Sequence, residues 1–165
     1  MKNGHESTST LGGATSDPFD LGRFLSAQDG TYYDVVQELR SGQKLTHWMW
    51  YVFPQFNGLG TSATARHYAI KSLEEARQYL EHPILGERLL ECTKTVNRLQ
   101  DRTVLQIFGT PDNMKFCSSM TLFELVAGSK SEFSFALDKY CSGHRDTATL
   151  KLLQLSLSAD DRNIS

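Results

Sequence analysis

The sequence predicts an all-α fold, a compact single-domain bundle of short helices with irregular connections. Apolar residues recur at three- and four-residue spacings along most of the 165-residue chain. Helix start and stop signals stand at the ends of those stripes, and no long alternating run suggests a large sheet. Composition agrees: 39% hydrophobic and 22% charged residues, with Gly 12 and Pro 4, exclude collagen-like, coiled-coil and wholly disordered chains. A domain near this length buries roughly 68–70% of its unfolded surface, so neither a disulfide nor a structural metal is needed for a core.

Residues 1–16 are rich in Ser, Thr and Gly and read as a flexible polar tail. The helical domain then runs over 17–155, with a second flexible tail at 156–165. Asp17-Pro18 is a start signal, and Leu21, Phe24 and Leu25 form the first stripe. Thr31 is placed to cap the next helix, whose stripe is Tyr32, Val35, Val36 and Leu39. His47 to Phe53 reads as a helix that Pro54 ends, because Pro lacks a donor and bars the preceding residue from helical geometry. Ser72 and Glu75 form a capping-box pattern for a helix through Leu80. Pro83 opens a longer helix with the stripe Leu85, Leu89, Cys92, Val96 and Leu99. Val104 to Phe108 is too short for its period to decide between strand and helix. Asp112 to Cys117, Thr121 to Val126, Phe133 to Tyr140 and Thr147 to Leu155 then read as four short helices.

Cys92, Cys117 and Cys141 are odd in number, widely spaced and without a CxxC pair, and are expected to be reduced thiols. The histidines His5, His47, His67, His82 and His144 have no HExxH-like spacing, so the sequence implies no metal and no cofactor. No apolar stretch reaches the roughly 18–20 residues needed to span a bilayer. No leader pattern is recognised either, so the cytoplasm, or the nucleus, is the expected location. Lys+Arg 17 against Asp+Glu 19 gives a formal charge of -2, so neither a nucleic acid nor a membrane is expected as a partner.

Two segments carry more polar and aromatic chemistry than packing requires. Residues 44–60, KLTHWMWYVFPQFNGLG, hold both tryptophans. On a helix His47, Trp50 and Tyr51 share a face while Trp48 turns away, so the large rings enter two environments. Gln55 and Asn57 follow on a loop tightened by Gly58 and Gly60, a place where binding groups tend to sit. Further on, Lys115 precedes Ser118, Ser119 and Thr121. Hydroxyls and free N–H groups at a helix start, with a cation nearby, suit a phosphate or carboxylate. Arg66, between the two segments, is the best bidentate partner for an anion. Each residue also has a plainer reading: His47 as a buried hydrogen-bonder, Trp48 and Trp50 as core, Gln55 as a turn-former, Ser118 or Ser119 as a cap and Lys115 as a solvated cation.

Asp17-Pro18-Phe19-Asp20-Leu21 with Arg23-Phe24 and Ala27-Gln28, His47-Trp48-Met49-Trp50, Phe53-Pro54-Gln55, His82-Pro83 and Ser118-Ser119-Met120-Thr121-Leu122-Phe123 together resemble the domain of unknown function 1810 family over residues 17–153. The resemblance implies a small, predominantly α-helical protein with no established reaction. It also implies that a polar or basic residue usually stands where this chain has Cys117, a contact missing here if that position lines an anion site. A calpastatin-like inhibitor role, sometimes attached to relatives, does not fit, since such inhibitors are disordered until bound and this chain has caps and core stripes.

The functional expectation is a domain that binds a small anionic ligand of the nucleotide or ADP-ribose kind, or an enzyme acting on one. Arg66 and Lys115 would hold the anion, Ser118, Ser119 and Thr121 donate hydrogen bonds, Trp48 or Trp50 stack, and His47 with Gln55 orient the recognised group. His47 is the candidate catalytic residue. Lys44 and Lys71 would add local positive charge. The alternative is a non-catalytic protein-interaction domain whose aromatic motifs are structural core.

Overall fold

The computed structural model describes residues 16–162. Among them are ten helices and no strand, in the order α1 (Gly22–Asp29), α2 (Tyr32–Arg40), α3 (Met49–Val52), α4 (Ala63–His67), α5 (Leu73–Glu81), α6 (Leu85–Arg98), α7 (Val104–Phe108), α8 (Asp112–Ala127), α9 (Glu132–Tyr140) and α10 (Thr147–Arg162). The only pairing of extended backbone among these residues is an isolated parallel bridge between Phe56 and Ile70. Most of the tail expected at 1–16 lies outside the described residues.

Helix α8 is the centre of the fold. Phe116, Ser118, Ser119, Met120, Thr121, Leu122 and Phe123 are all buried, so the helix is covered on nearly every side, as a helix apolar around its circumference must be. It packs against α5, α7, α9 and α10. The ring pairs Phe116–Tyr140 and Phe123–Phe133, at 6.2 and 5.8 Å, set α8 and α9 antiparallel as a helical hairpin. Helix α6 closes a second layer against α2, α5 and α9. Its approach to α5 depends on Gly86, where a Cβ would stand 1.9 Å from the Leu80 carbonyl oxygen.

Several local expectations are corrected by tertiary structure. The two helices expected at 112–117 and 121–126 are one continuous α8, because Ser118 and Ser119 are buried mid-helix rather than at a break. Val104–Phe108 is helical, with a full capping box between Thr103 and Gln106. Ser72 accepts from the Glu75 amide as expected, but the Glu75 carboxylate turns instead to Lys71 N and Arg23. Thr31 makes no cap; its hydroxyl donates to Ala27 O. Helix α10 runs to Arg162, past the Leu155 limit and through much of the expected tail.

The cysteine expectation also fails in part. Cys117 and Cys141 form a disulfide that ties α8 to the end of α9 across 24 positions. Spacing along the chain carried no sign of it; the antiparallel packing of α8 on α9 brings the two together. Cys92 alone remains a free thiol. Burial inside the bundle pushes it up to about 12, which leaves it unreactive.

Candidate functional site

Residues 44–57 are held by a network centred on Glu38 of α2. Its carboxylate accepts from Leu45 N, Thr46 N, the Thr46 hydroxyl and the Trp48 indole, at 2.7, 3.0, 2.6 and 2.9 Å. Burial alone would raise the pKa of this carboxyl, but these bonds, led by that from Thr46, outweigh it and hold the group below the usual carboxylate range. Trp48 is 1% exposed, so it is a structural anchor and not a stacking platform. Val52, Phe53, Pro54 and Phe56 follow it into the interior. The helix here is only α3, beginning at Met49, so His47 lies outside it and is exposed rather than buried among the rings.

Trp50 turns the other way and is half-buried. The turn after Pro54 is clamped by Ile70, whose N–H donates to Gln55 O at 2.9 Å while its carbonyl accepts from Asn57 N at 2.8 Å. This brings Gln55 and Trp50 to one small recess with Tyr68, Gly58, Gly60 and Ala65. Gly58 has φ +103, and a Cβ on Gly60 would come 2.5 Å from the Ala65 Cβ, so both glycines are needed for the loop to lie on α4. The recess is small, about 10 Å³, close to the space of a single water. Arg66 stands exposed on α4 next to Ala65.

The second predicted segment meets the first at Trp50. Lys115 Nζ lies 5.3 Å from the centroid of the Trp50 ring, within cation–π range. Asp112 joins the two segments electrostatically, 2.9 Å from Lys44 Nζ and 3.6 Å from Lys115 Nζ. Lys44 in turn sits 5.1 Å from the Trp48 ring.

Ser118, Ser119 and Thr121 do not reach this place. They lie within α8, where the backbone N–H groups are consumed by the helix, so no N-terminal anion hole forms there. The Ser118 hydroxyl is 3.1 Å from both Met114 O and Asp146 Oδ2. Thr121 Oγ1 donates to Cys117 O and accepts from Asp146 N, each at 2.9 Å. Asp146 caps the start of α10 through Thr149 N and the Thr149 hydroxyl, so Ser118 and Thr121 serve to dock α10. Ser119 is fully buried and its Oγ has no hydrogen-bond partner.

The motifs are wired together by residues to which the sequence pattern assigned no role. Arg23 donates to the carbonyls of Phe19, Asp20, His67 and Ala69 and pairs with Glu75 at 2.7 Å. Gln28 donates to Tyr51 O and Tyr79 Oη. His82 Nδ1 accepts from Ile84 N and Leu85 N at the start of α6. Gln28, a polar residue on the apolar stripe of Leu21, Phe24 and Leu25, carried a legible signal, whereas Arg23 lies on the opposite face. Among the described residues no group of three or more His, Cys, Asp or Glu is arranged to hold a metal, and no helix is long and apolar enough to cross a membrane.

With this geometry in view, the sequence profile described as "Protein of unknown function (DUF1810)" matches residues 18–153. The chain belongs to the DUF1810 family. A solved relative, the conserved hypothetical protein Rv1873 from Mycobacterium tuberculosis, is similar to this family member at 53% identity with a TM-score of 0.82. That likeness covers 84% of this chain and 99% of the mycobacterial one. No curated protein matches. The description of the DUF1810 family assigns no reaction, and that of Rv1873 assigns no ligand.

Proposed function

We propose that the chain is a binding domain for a small anionic ligand of the nucleotide or ADP-ribose kind, taken up at the surface around Trp50. The observation that carries this reading is the 5.3 Å approach of Lys115 Nζ to the Trp50 ring, which joins the two polar segments at one point. The ligand's negative charge lies toward Lys115, with Arg66 adding charge from α4, and its ring packs against the half-buried Trp50. Gln55 and Tyr68 beside it supply hydrogen-bonding groups. Because the recess below them is no larger than a water, the ligand lies across this surface rather than inside it. The site is thereby narrower than the sequence expectation: Trp48, Ser118 and Thr121 are withdrawn from it by their structural duties, and Ser119 by its burial within α8. Among the described residues His47 has no hydrogen-bond partner that would orient it as an acid or base, so the proposed role is binding rather than a reaction.

A thermal-shift panel of nucleotides, NAD, ADP-ribose and sugar phosphates tests this. A true ligand at 100 times its dissociation constant stabilises the fold by about 2.7 kcal/mol. The same shift in Trp50→Leu or Lys115→Ala would sink the assignment. The second reading, a non-catalytic interaction domain, is favoured by the burial of Trp48, Phe53 and Phe56, which makes the aromatic motif chiefly core. No shift with any member of the panel would favour it.

A further inference from the structure

We propose a second ligand site, in the groove between α6 and α9, for a phosphate monoester carrying a flat ring, the chemistry of a nucleoside monophosphate. The groove encloses about 360 Å³, within the size range of small-ligand pockets, and shares no residue with the Trp50 surface. Lys94 and Arg98, one turn apart on α6, and Lys130 from the α8–α9 connection line it. The ion pairs among the described residues use Arg23, Lys44, Arg77, Arg88, Lys115 and Arg145, so these three cations are uncommitted. Nearby Lys139 is occupied with the carbonyls of Asn97 and Leu99.

Two further features point to an organic ligand rather than to a diffuse patch. Phe135 on α9 lines the groove and is 54% exposed, a flat apolar face left open beside the cations. Asn97, at the groove wall, is 7% exposed; its Nδ2 donates to Glu132 O and Glu132 Oε2, and its Oδ1 is buried without a partner among the described residues. An unpartnered buried acceptor calls for a donor. The Glu132 carboxylate is the negative group in the groove, and its Oε2 is already engaged by Asn97. Glu87 and Glu91 line the adjoining groove that shares Lys94 and Arg98, so the anion belongs on the Lys130 side. The three cations take the phosphate, the Phe135 face takes the ring, and Asn97 Oδ1 takes a donor from ring or sugar.

The test is isothermal titration of the full chain carrying Trp50→Leu and Lys115→Ala, which together remove the ring and the cation of the Trp50 surface, with adenosine monophosphate, adenosine and inorganic phosphate. Adenosine monophosphate should bind at least about tenfold tighter than either fragment, Lys94→Ala/Arg98→Ala should weaken it at least about tenfold, and Phe135→Ala several-fold. These are surface changes, checked for native helix content by circular dichroism. Equal affinity for adenosine monophosphate and phosphate would reduce the groove to a non-selective cationic patch and overturn the proposal. Absence of binding, or affinity insensitive to Lys94→Ala/Arg98→Ala, would overturn it as well. Because the background lacks both Trp50 and Lys115, none of these results depends on ligand binding at the Trp50 surface.

Discussion

The Trp48 indole donates to the Glu38 carboxylate across 2.9 Å inside the bundle, and the same carboxylate holds Leu45 and Thr46. One acid on α2 thus fixes the segment that leads into Trp50, so the position of the candidate site is set by a group that does not belong to it.

Glu38→Gln should lower stability at pH 7 by about 1–3 kcal/mol, because an amide cannot accept all the donors that the carboxylate satisfies. The pH dependence has a definite sign. The folded-state value is depressed, so the stabilisation is complete above the unfolded value of an ordinary Glu and is lost as pH falls through the folded value. Urea unfolding at several pH values below about 5 should show the difference between wild type and Glu38→Gln shrinking as acid is added. A constant difference would mean that the charge at Glu38 is not what holds the segment.

Arg23 and Glu75 form an ion pair at 2.7 Å with side chains only 7% and 3% exposed. Removing one partner leaves a buried charge, so Arg23→Ala should cost about 3–5 kcal/mol by chemical denaturation. Arg23→Lys should recover little of this, because an ammonium cannot reproduce the planar fork that reaches four carbonyls and a carboxylate. Full recovery by Lys would show that charge alone matters there.

Gly60 tests the geometry of the recess. Gly60→Ala should destabilise through the 2.5 Å approach to the Ala65 Cβ, and Ala65→Gly in the same chain should restore much of the loss. Simple additivity of the two changes, measured by thermal unfolding, would contradict the packing of the loop on α4.

Reduction of the Cys117–Cys141 bond should lower stability by about 3.5 kcal/mol, the chain-entropy value for a closed loop spanning 24 positions. Urea midpoints with and without dithiothreitol measure it, and Cys117→Ser/Cys141→Ser should abolish the response. Cys92, whose thiol is buried, should resist alkylation in the native state of both forms.

The amphipathic stripes and stop signals made most helices readable, including the end of α3 before Pro54 and the Ser72 cap of α5. Local pattern could not tell a break from a fully buried helix, so Ser118-Ser119 suggested an end where α8 runs on. The opposed environments of Trp48 and Trp50 were legible from their offset, yet which ring is core depended on Glu38, ten positions away. Lys115 lies 5.3 Å from the Trp50 ring, while Thr121 and Ser118 are drawn off by Asp146, which precedes a helix much later in the chain. The disulfide was hidden for the same reason: it depends on how two helices pack, which residue spacing does not encode.

The most direct measurement is isothermal titration of the full chain with ADP-ribose, comparing wild type with Trp50→Leu, Lys115→Ala and Ser118→Ala. The account predicts saturable binding to wild type, a loss of about tenfold, or about 1.4 kcal/mol, in either of the first two, and wild-type affinity in Ser118→Ala. Undiminished affinity in both Trp50→Leu and Lys115→Ala, or no saturable binding at all, would contradict it.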